Sequence, residues 1–314
     1  ERYLTSERWH YVSPPISDGL SIIFEDIYLM EWDEPTSLWS NIVPTNVPLT
    51  PMKGYASWAA DSLTGTTTVY YETTSPNLNS GTLLSGPLTA SGPNTTPPED
   101  NRGFNFVGNP YPSAVDWDQV AGWEKTTLAN AIYIWNPDSG QYGSYVGGFS
   151  TNGVSNIIPG GQGFYVHNYT DLSTATLTVN NDARVHSDTS FYKNLKLENQ
   201  SLTLYISSEI NTYSDELVVS FNENATTDFD PAYDAYNLTG GEEAPDIYSV
   251  ATDEKNLSIN SWITLSEDQT IPVGCQIGVD GFYTITATDI ANFDASTQIL
   301  LEDTFEEIFI DLAY

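Results

Sequence analysis

The sequence is poor in cysteine, in positive charge and in long apolar runs. Cys275 is its one cysteine, so no disulfide framework and no cysteine-based metal site can be built from it. Its neighbourhood, "IPVGCQIGV", is apolar and predicts a buried, inert thiol. Nine Lys and Arg stand against 42 Asp and Glu, a formal net charge of −33. That balance excludes nucleic acid as a partner, because holding phosphate needs a basic footprint. It also disfavours anionic membrane surfaces. No apolar run is long enough to span a bilayer, so direct membrane insertion is not expected. Histidine is scarce too: His10, His167 and His186 are the only three, and no HExxH, GxSxG, P-loop or dinucleotide fingerprint accompanies them. His10 and His167 fall on strand-like stretches and read as solvent-facing or hydrogen-bonded residues, not as parts of a triad. No signal peptide opens the chain, and Glu1 begins as if mid-phrase, which reads as a mature product or an excised piece.

What the sequence has is alternation. Leu202, Leu204 and Ile206 share one face of "SLTLYISS", and Leu217, Val219 and Phe221 one face of "DELVVSFNE". "LSINSWITL" alternates through Leu257, Ile259, Ser261, Ile263 and Leu265; "FYTITA" groups Tyr283, Ile285 and Ala287; "EEIFIDL" groups Ile308, Ile310 and Leu312. Period two, in runs rich in Val, Ile, Thr, Tyr and Phe and separated by Gly, Pro, Asn, Asp and Ser, predicts short strands. The expected class is all-β, with several domains of antiparallel β-sandwich type. One short helix is expected after Ser113 as N-cap, with Val120 and Ala121 inward and Gly122 near its end.

Four blocks also recur in order. "RWHYVSPPIS" (8–17) parallels "GFNFVGNPYPS" (103–113), placing Trp9, Tyr11, Val12 and Pro15 opposite Phe104, Phe106, Val107 and Pro110. "DIYLMEWD" from Asp26 parallels "AIYIWNPD" from Ala131, "LTPMKGYASW" from Leu49 parallels "IIPGGQGFYVH" from Ile157, and "TTTVYYE" parallels "TATLTVN". The reading is an internal repeat in the N-terminal region. In each first block two alternating aromatics enter the core. Pro then stops pairing, since it has no N–H for the ladder. By analogy with Phe104, Trp9 is expected in the core. Ser85–Asn101 is rich in Gly, Pro, Ser and Thr and reads as a loop or linker, and a second break lies near 183–194. The expected division is a first repeat over 1–98, a second over 99–190 that is separate or joined to the first, and a C-terminal sandwich over 191–314.

These same stretches carry a resemblance. "GFNFVGNPYPSAVDW", "AIYIWNPDSGQY", "IIPGGQGFYVH" and "ARVHSDTSFYKN" look like a module common in large secreted proteins of Bacteroidetes. "DELVVSFNENATTDFDPAYDAYNL", "PDIYSV", "LSIN" and "LLEDTFEEIFIDL" resemble the segment that precedes the C-terminal sorting domain of such proteins. The resemblance runs from about Arg8 to the end. It implies export by the type IX secretion system and an extracellular or outer-surface location. The sequence stops where that family usually continues through another strand and a sorting domain.

Two candidate sites emerge from the residues. The second repeat carries an insertion, Tyr111 to about Leu128, with Trp117 and Trp123, the best-placed aromatics for stacking on a sugar. Asp228, Asp230 and Asp234, in "TTDFDPAYDAYN", could supply oxygens to Ca²⁺, the one cofactor considered; the alternative is a turn whose Asp side chains bond nearby N–H groups. Acidic pairs such as Asp33 with Glu34, Asp116 with Asp118 and Glu302 with Asp303 abound, so no pair stands out as a glycosidase couple. The leading expectation is a non-catalytic scaffold or adhesion module of a secreted or surface-attached bacterial protein, with a glycan or another surface protein as partner. The alternatives are a Ca²⁺-assisted or aromatic-platform glycan-binding module and, second, a carboxylate-dependent carbohydrate hydrolase.

Overall fold

The structure, a computed structural model, describes residues 1–43, 46–60, 66–71, 77–92, 101–185, 199–263 and 268–312. His186, Leu265, the 93–100 part of the Gly/Pro/Ser linker and most of the break near 183–194 lie outside these residues. The chain is all-β, with its strands in several mostly antiparallel sheets. It divides into two compact units, Glu1–Pro137 with Ser155–Lys193, and Asp138–Val154 with Asn194–Tyr314. Both repeat segments thus contribute to the first unit, and a hairpin from within the second segment belongs to the other.

In chain order the strands of the first half are β1 (Arg2–Thr5), β2 (Trp9–Val12), β3 (Tyr28–Asp33), β4 (Leu38–Asn41), β5 (Tyr55–Trp58), β6 (Thr66–Val69), β7 (Leu83–Leu84), β8 (Leu88–Ala90), β9 (Phe104–Gly108), β10 (Val115–Asp116), β11 (Trp123–Thr126) and β12 (Leu128–Asn136). The hairpin β13 (Gln141–Val146) and β14 (Phe149–Ser150) follows, then β15 (Ile157–Ile158), β16 (Gly163–Asn168) and β17 (Ser173–Val179).

Two sheets organise the first unit. One has the order β2-β5-β3-β4; in the other, β16 lies between β9 and β12. Their registers run in parallel. Tyr11 faces Ala56 and Val12 faces Tyr55; Phe106 faces Tyr165 and Val107 faces Phe164. Leu29 faces Ser57 on β5, and Ile132 faces Val166 on β16. This pairing sets Leu29 opposite Ile132, two residues from the match of "DIYLMEWD" to "AIYIWNPD". A two-residue slip leaves every side chain on its original face, so alternation alone does not detect it.

The sheets meet through reciprocal contacts. Val12 bridges Gln162 while Val107 bridges Lys53, and Ser13 N donates to Gly161 O while Gly108 N donates to Met52 O. Gly161 and Met52 both hold positive φ, at 65° and 63°. The chain passes so closely here that a Cβ on Gly108 would lie 2.2 Å from that of Ser13, and one on Gly54 would lie 2.6 Å from the Val107 carbonyl oxygen. The abrupt turn after "GFNFVG" is therefore a structural corner. Asn109 holds it by donating to the carbonyls of Ser113, Ile158 and Pro159, and buried Asn79 joins the two corners by donating to the carbonyls of Pro14 and Pro110. Against this junction pack Tyr11, Trp39, Phe106 and Tyr165, with Tyr11 and Phe106 edge-to-face at 4.6 Å. The opposite face of β2-β5-β3-β4 closes on a core of Val12, Phe24, Leu29, Leu49 and Tyr55.

The expected helix after Ser113 is absent. Residues 115–116 form β10, and only a single 3₁₀ turn follows, at Val120–Gly122, with no side-chain cap and with Val120 fully outward. Asp116 is spent on this path, its carboxylate accepting from Asn156 Nδ2 and Asp118 N.

The second unit is built from β13, β14, β18 (Ser201–Ser208), β19 (Ser214–Phe221), β20 (Ala235–Tyr236), β21 (Asp246–Val250), β22 (Asn256–Trp262), β23 (Val273–Gln276), β24 (Tyr283–Ala291) and the hairpin β25 (Leu300–Asp303) and β26 (Ile308–Asp311). Its main sheet has the order β23-β21-β22-β19-β18-β24, with β20 also on β22. Leu204, Ile206, Leu217, Val219 and Phe221 form the core face, as alternation predicts. The β19–β22 pair is parallel, which alternation does not reveal. A parallel pair needs a crossover; it runs over 222–255, and within it β20 and β21 pair antiparallel with β22, where Leu257 and Ile259 are fully buried. Trp262 faces the core, while Ile263 is exposed. Ile308 and Ile310 are half exposed; of their group only Leu312 reaches the core. Cys275 is exposed, a correction to its expected burial, because β23 ends the sheet and pairs only with β21.

Candidate functional site: an open aromatic face

Trp117 and Trp123 lie in the core, 1% and 7% exposed. They meet edge-to-face at 4.8 Å, and each indole N–H is spent on a main-chain carbonyl, Trp117 on Asn130 and Trp123 on Asp116. Lys125 closes the top: its ammonium lies 3.8 Å from the Trp117 ring centre and donates to the Trp117 carbonyl. Burial pushes the Lys125 pKa down to about 8, against the opposing pull of Asp118 and Asp116. Neither indole presents a face on which a sugar could stack. Both tryptophans are core residues and form no platform.

The three aspartates are each taken up in hydrogen bonds. Asp228 accepts from Thr252 Oγ1 at 2.5 Å, Asp230 caps its own turn through Ala232 N, and Asp234 accepts from Ser261 N and Asp230 N, both at 2.7 Å. Asp234 is fully buried; its pKa is pushed up to about 7, chiefly by burial, with Asp230 and Asp253 adding to it. Asp234 pins the crossover to β22, Asp228 ties it to the loop before β22, and Asp230 closes its own turn. Among the described residues no group of three or more His, Cys, Asp or Glu side chains is arranged to hold a metal ion. What these carboxylates show is hydrogen bonding within and beside the turn, the other of the two readings.

Two buried carboxyls with raised pKa values do lie near each other. Asp215 rises to about 7, mainly through burial with a smaller push from Asp246, and Asp246 is also raised by burial. Asp215 accepts from Asn152 Nδ2 and Ile247 N; Asp246 accepts from Gln141 Nε2 and Gly240 N. Both are under 5% exposed, so they clamp the β13–β14 hairpin and offer no approach to a substrate.

The exposed aromatics gather elsewhere. On one pleat face of β2-β5-β3-β4, Trp9 pairs with Trp58, Tyr28 also pairs with Trp58, and Met30 pairs with Ala56 and Asn41. Because side chains alternate, these residues share a face with Tyr11, Trp32 and Trp39. The second sheet covers the latter three, with Trp32 edge-on to Tyr165 at 5.8 Å and Trp39 edge-on to Phe106 at 5.4 Å. The stripe continues beyond that cover. Trp9, Tyr28, Met30, Asn41 and Trp58 line a shallow, open depression of about 480 Å³. Trp9 is 39% and Tyr28 60% exposed. The Trp9 and Trp58 rings lie 6.4 Å apart, tilted 46°, and Tyr28 and Trp58 lie 5.7 Å apart, tilted 56°.

Trp9 was expected in the core because Phe104 matches it. Phe104 is indeed buried, stacked between Tyr133 and His167 at 5.6 and 4.7 Å. The positions matching those neighbours hold Met30 and Trp58, and there the face stays open. His167 is buried in this stack, while His10 bonds the Thr5 carbonyl at the surface. No sequence signal marks Trp9 and Trp58 as a pair; they and Tyr28 come together through the strand register.

No curated protein and no solved structure gives a significant match to the chain. The model of one family, described as "Domain of unknown function (DUF8693)", matches residues 9–314, and the chain belongs to that family.

Proposed function

We propose that the chain is a non-catalytic adhesion module of a secreted or surface-attached bacterial protein, holding carbohydrate on the open aromatic face of β2-β5-β3-β4. The observation that carries this reading is the Trp9–Trp58–Tyr28 cluster, with Trp9 and Tyr28 exposed and Trp58 half-buried on one face of a sheet. A pyranose presents a face of C–H bonds, and an aromatic ring both excludes water from that face and attracts it by dispersion and through its quadrupole. Such a cluster is worth ordering only if something covers it, since exposed apolar patches of this kind mark binding surfaces. Placing the aromatics on strands fixes them before the ligand arrives and so lowers the entropy lost on binding. The net charge of −33 suits a module that must stay soluble outside the cell. Extracellular placement and type IX export follow from the resemblance to Bacteroidetes surface proteins. The test is affinity electrophoresis through gels carrying soluble polysaccharides. Retardation in at least one gel, reduced by Trp58→Ala, is expected; equal mobility in every gel contradicts the reading.

A scaffold role toward another surface protein is favoured by a different observation. In the second unit Phe305 and Phe309, in the β25–β26 hairpin, are 90% and 64% exposed, and Phe282, just before β24, is 97% exposed. Replacing Phe305 and Phe309 by Ser should leave polysaccharide retardation intact and weaken only contacts between proteins.

A further inference from the structure

Resting on the carbohydrate reading above, we infer that the ligand of the aromatic face is a single, uncharged polysaccharide chain, as opposed to an acidic glycan or the flat face of a crystalline one. Three observations carry this. First, none of the five residues lining the depression is acidic or basic; its polar groups are one amide, one phenol and two indoles. A uronate or sulfated sugar needs a cation or a set of converging donors to offset the loss of water around its charge. Second, with nine Lys and Arg against 42 Asp and Glu, the field around the protein repels a polyanion before it arrives. Third, the rings are not coplanar. Stacking on a crystal face requires aromatic planes that lie flat together, whereas Trp9 and Tyr28 tilt 46° and 56° from Trp58. Rings inclined this way form a shallow cup, which suits one chain whose successive sugars turn relative to each other. Trp58 sits at its centre, 6.4 and 5.7 Å from its neighbours, so adjacent sugars of one chain can each meet a ring. Sugars with equatorial hydroxyls fit best, because their ring faces carry only C–H bonds.

The experiment is titration calorimetry of the full chain with pentasaccharides of neutral glucan, mannan and xylan and with an oligogalacturonate of equal length, at low and high salt. A pull-down on microcrystalline cellulose accompanies it. Trp58→Ala and Tyr28→Ala are run alongside, with circular dichroism to confirm their fold; Tyr28 stands at the rim and its loss does not touch the core. Expected is binding of at least one neutral pentasaccharide, insensitive to salt and about tenfold weaker in either variant, a loss equivalent to ~1.4 kcal/mol. Binding of oligogalacturonate in preference, or of crystalline cellulose alone, overturns the ligand class but leaves the aromatic face as a sugar site if the variants abolish it. No binding to any glycan, or binding untouched in both folded variants, overturns this inference and the carbohydrate reading together.

Discussion

Trp9 and Trp58 face each other across β2 and β5 with their ring centres 6.4 Å apart, while Trp117 and Trp123, closer at 4.8 Å, are sealed in the core. The two pairs therefore predict opposite phenotypes. Trp9→Ala removes a partly exposed ring and should cost less stability than Trp117→Ala while weakening glycan binding. Trp117→Ala opens a cavity and should lower stability by about 3–5 kcal/mol. Denaturant titration with parallel binding measurements on each folded variant separates them.

The close passage between the two sheets predicts a steric signature. Gly54→Ala places a methyl group 2.6 Å from the Val107 carbonyl oxygen and 2.9 Å from the Phe106 ring, which cannot move without disturbing Tyr11 and Trp39. A loss of about 1–3 kcal/mol is expected, as for other overpacked interiors. Gly86→Ala, which meets nothing within 4 Å, should stay within about 0.5 kcal/mol of wild type. Urea denaturation of the pair is the check.

The clamp on the β13–β14 hairpin predicts a pH dependence. Asp215 keeps its proton up to about pH 7 when folded, whereas in the unfolded chain it loses it near its ordinary value of 3.8. Between these values the folded state binds more protons, so stability falls as pH rises from about 4 to about 7 and levels off above. Asp234, also raised to about 7, acts in the same direction. Asp215→Asn carries a baseline loss, since one amide oxygen cannot accept from both Asn152 and Ile247 as the carboxylate does. Its readout is the slope: stability measured across that window should fall less steeply than in wild type, and an unchanged slope contradicts the assignment.

The hydrogen bonds that engage Asp228, Asp230 and Asp234 predict indifference to calcium. Thermal melts with added Ca²⁺ and with a chelator should coincide. Asp234→Ala should still destabilise, because it strands the N–H groups of Ser261 and Asp230, each worth about 1–3 kcal/mol when buried without a partner.

The strand class was legible because the alternation of Leu202 to Ile206 and Leu217 to Phe221 is dictated by a one-sided core. The parallel β19–β22 pair was not, because alternation fixes the face a side chain takes and not the direction of the neighbouring strand. The repeated blocks were legible as sequence, and the matching registers of β2 with β5 and β9 with β16 support a duplication. Superposition of residues 8–72 on residues 102–180 tests it, with Pro15 and Pro110 required at equivalent corners. The aromatic site was misplaced for a physical reason. An insertion bearing two Trp looks like an ornament, but Trp117 and Trp123 fill the space it encloses. Whether a strand Trp is core or surface depends on which sheet covers it, and Phe104 and Trp9, matched in sequence, differ only in that cover. Cys275 was misread likewise: apolar neighbours predict burial only where a second layer exists.

Which tryptophans meet the ligand decides between the aromatic face and every other site. Oxidative footprinting of the chain by mass spectrometry, with and without a saturating polysaccharide found to bind, reads this directly. The account predicts that Trp9 and Trp58 react in the free protein and are protected by ligand, while Trp117 and Trp123 stay unreactive in both states. Equal oxidation of Trp9 and Trp58 with and without bound ligand would contradict it.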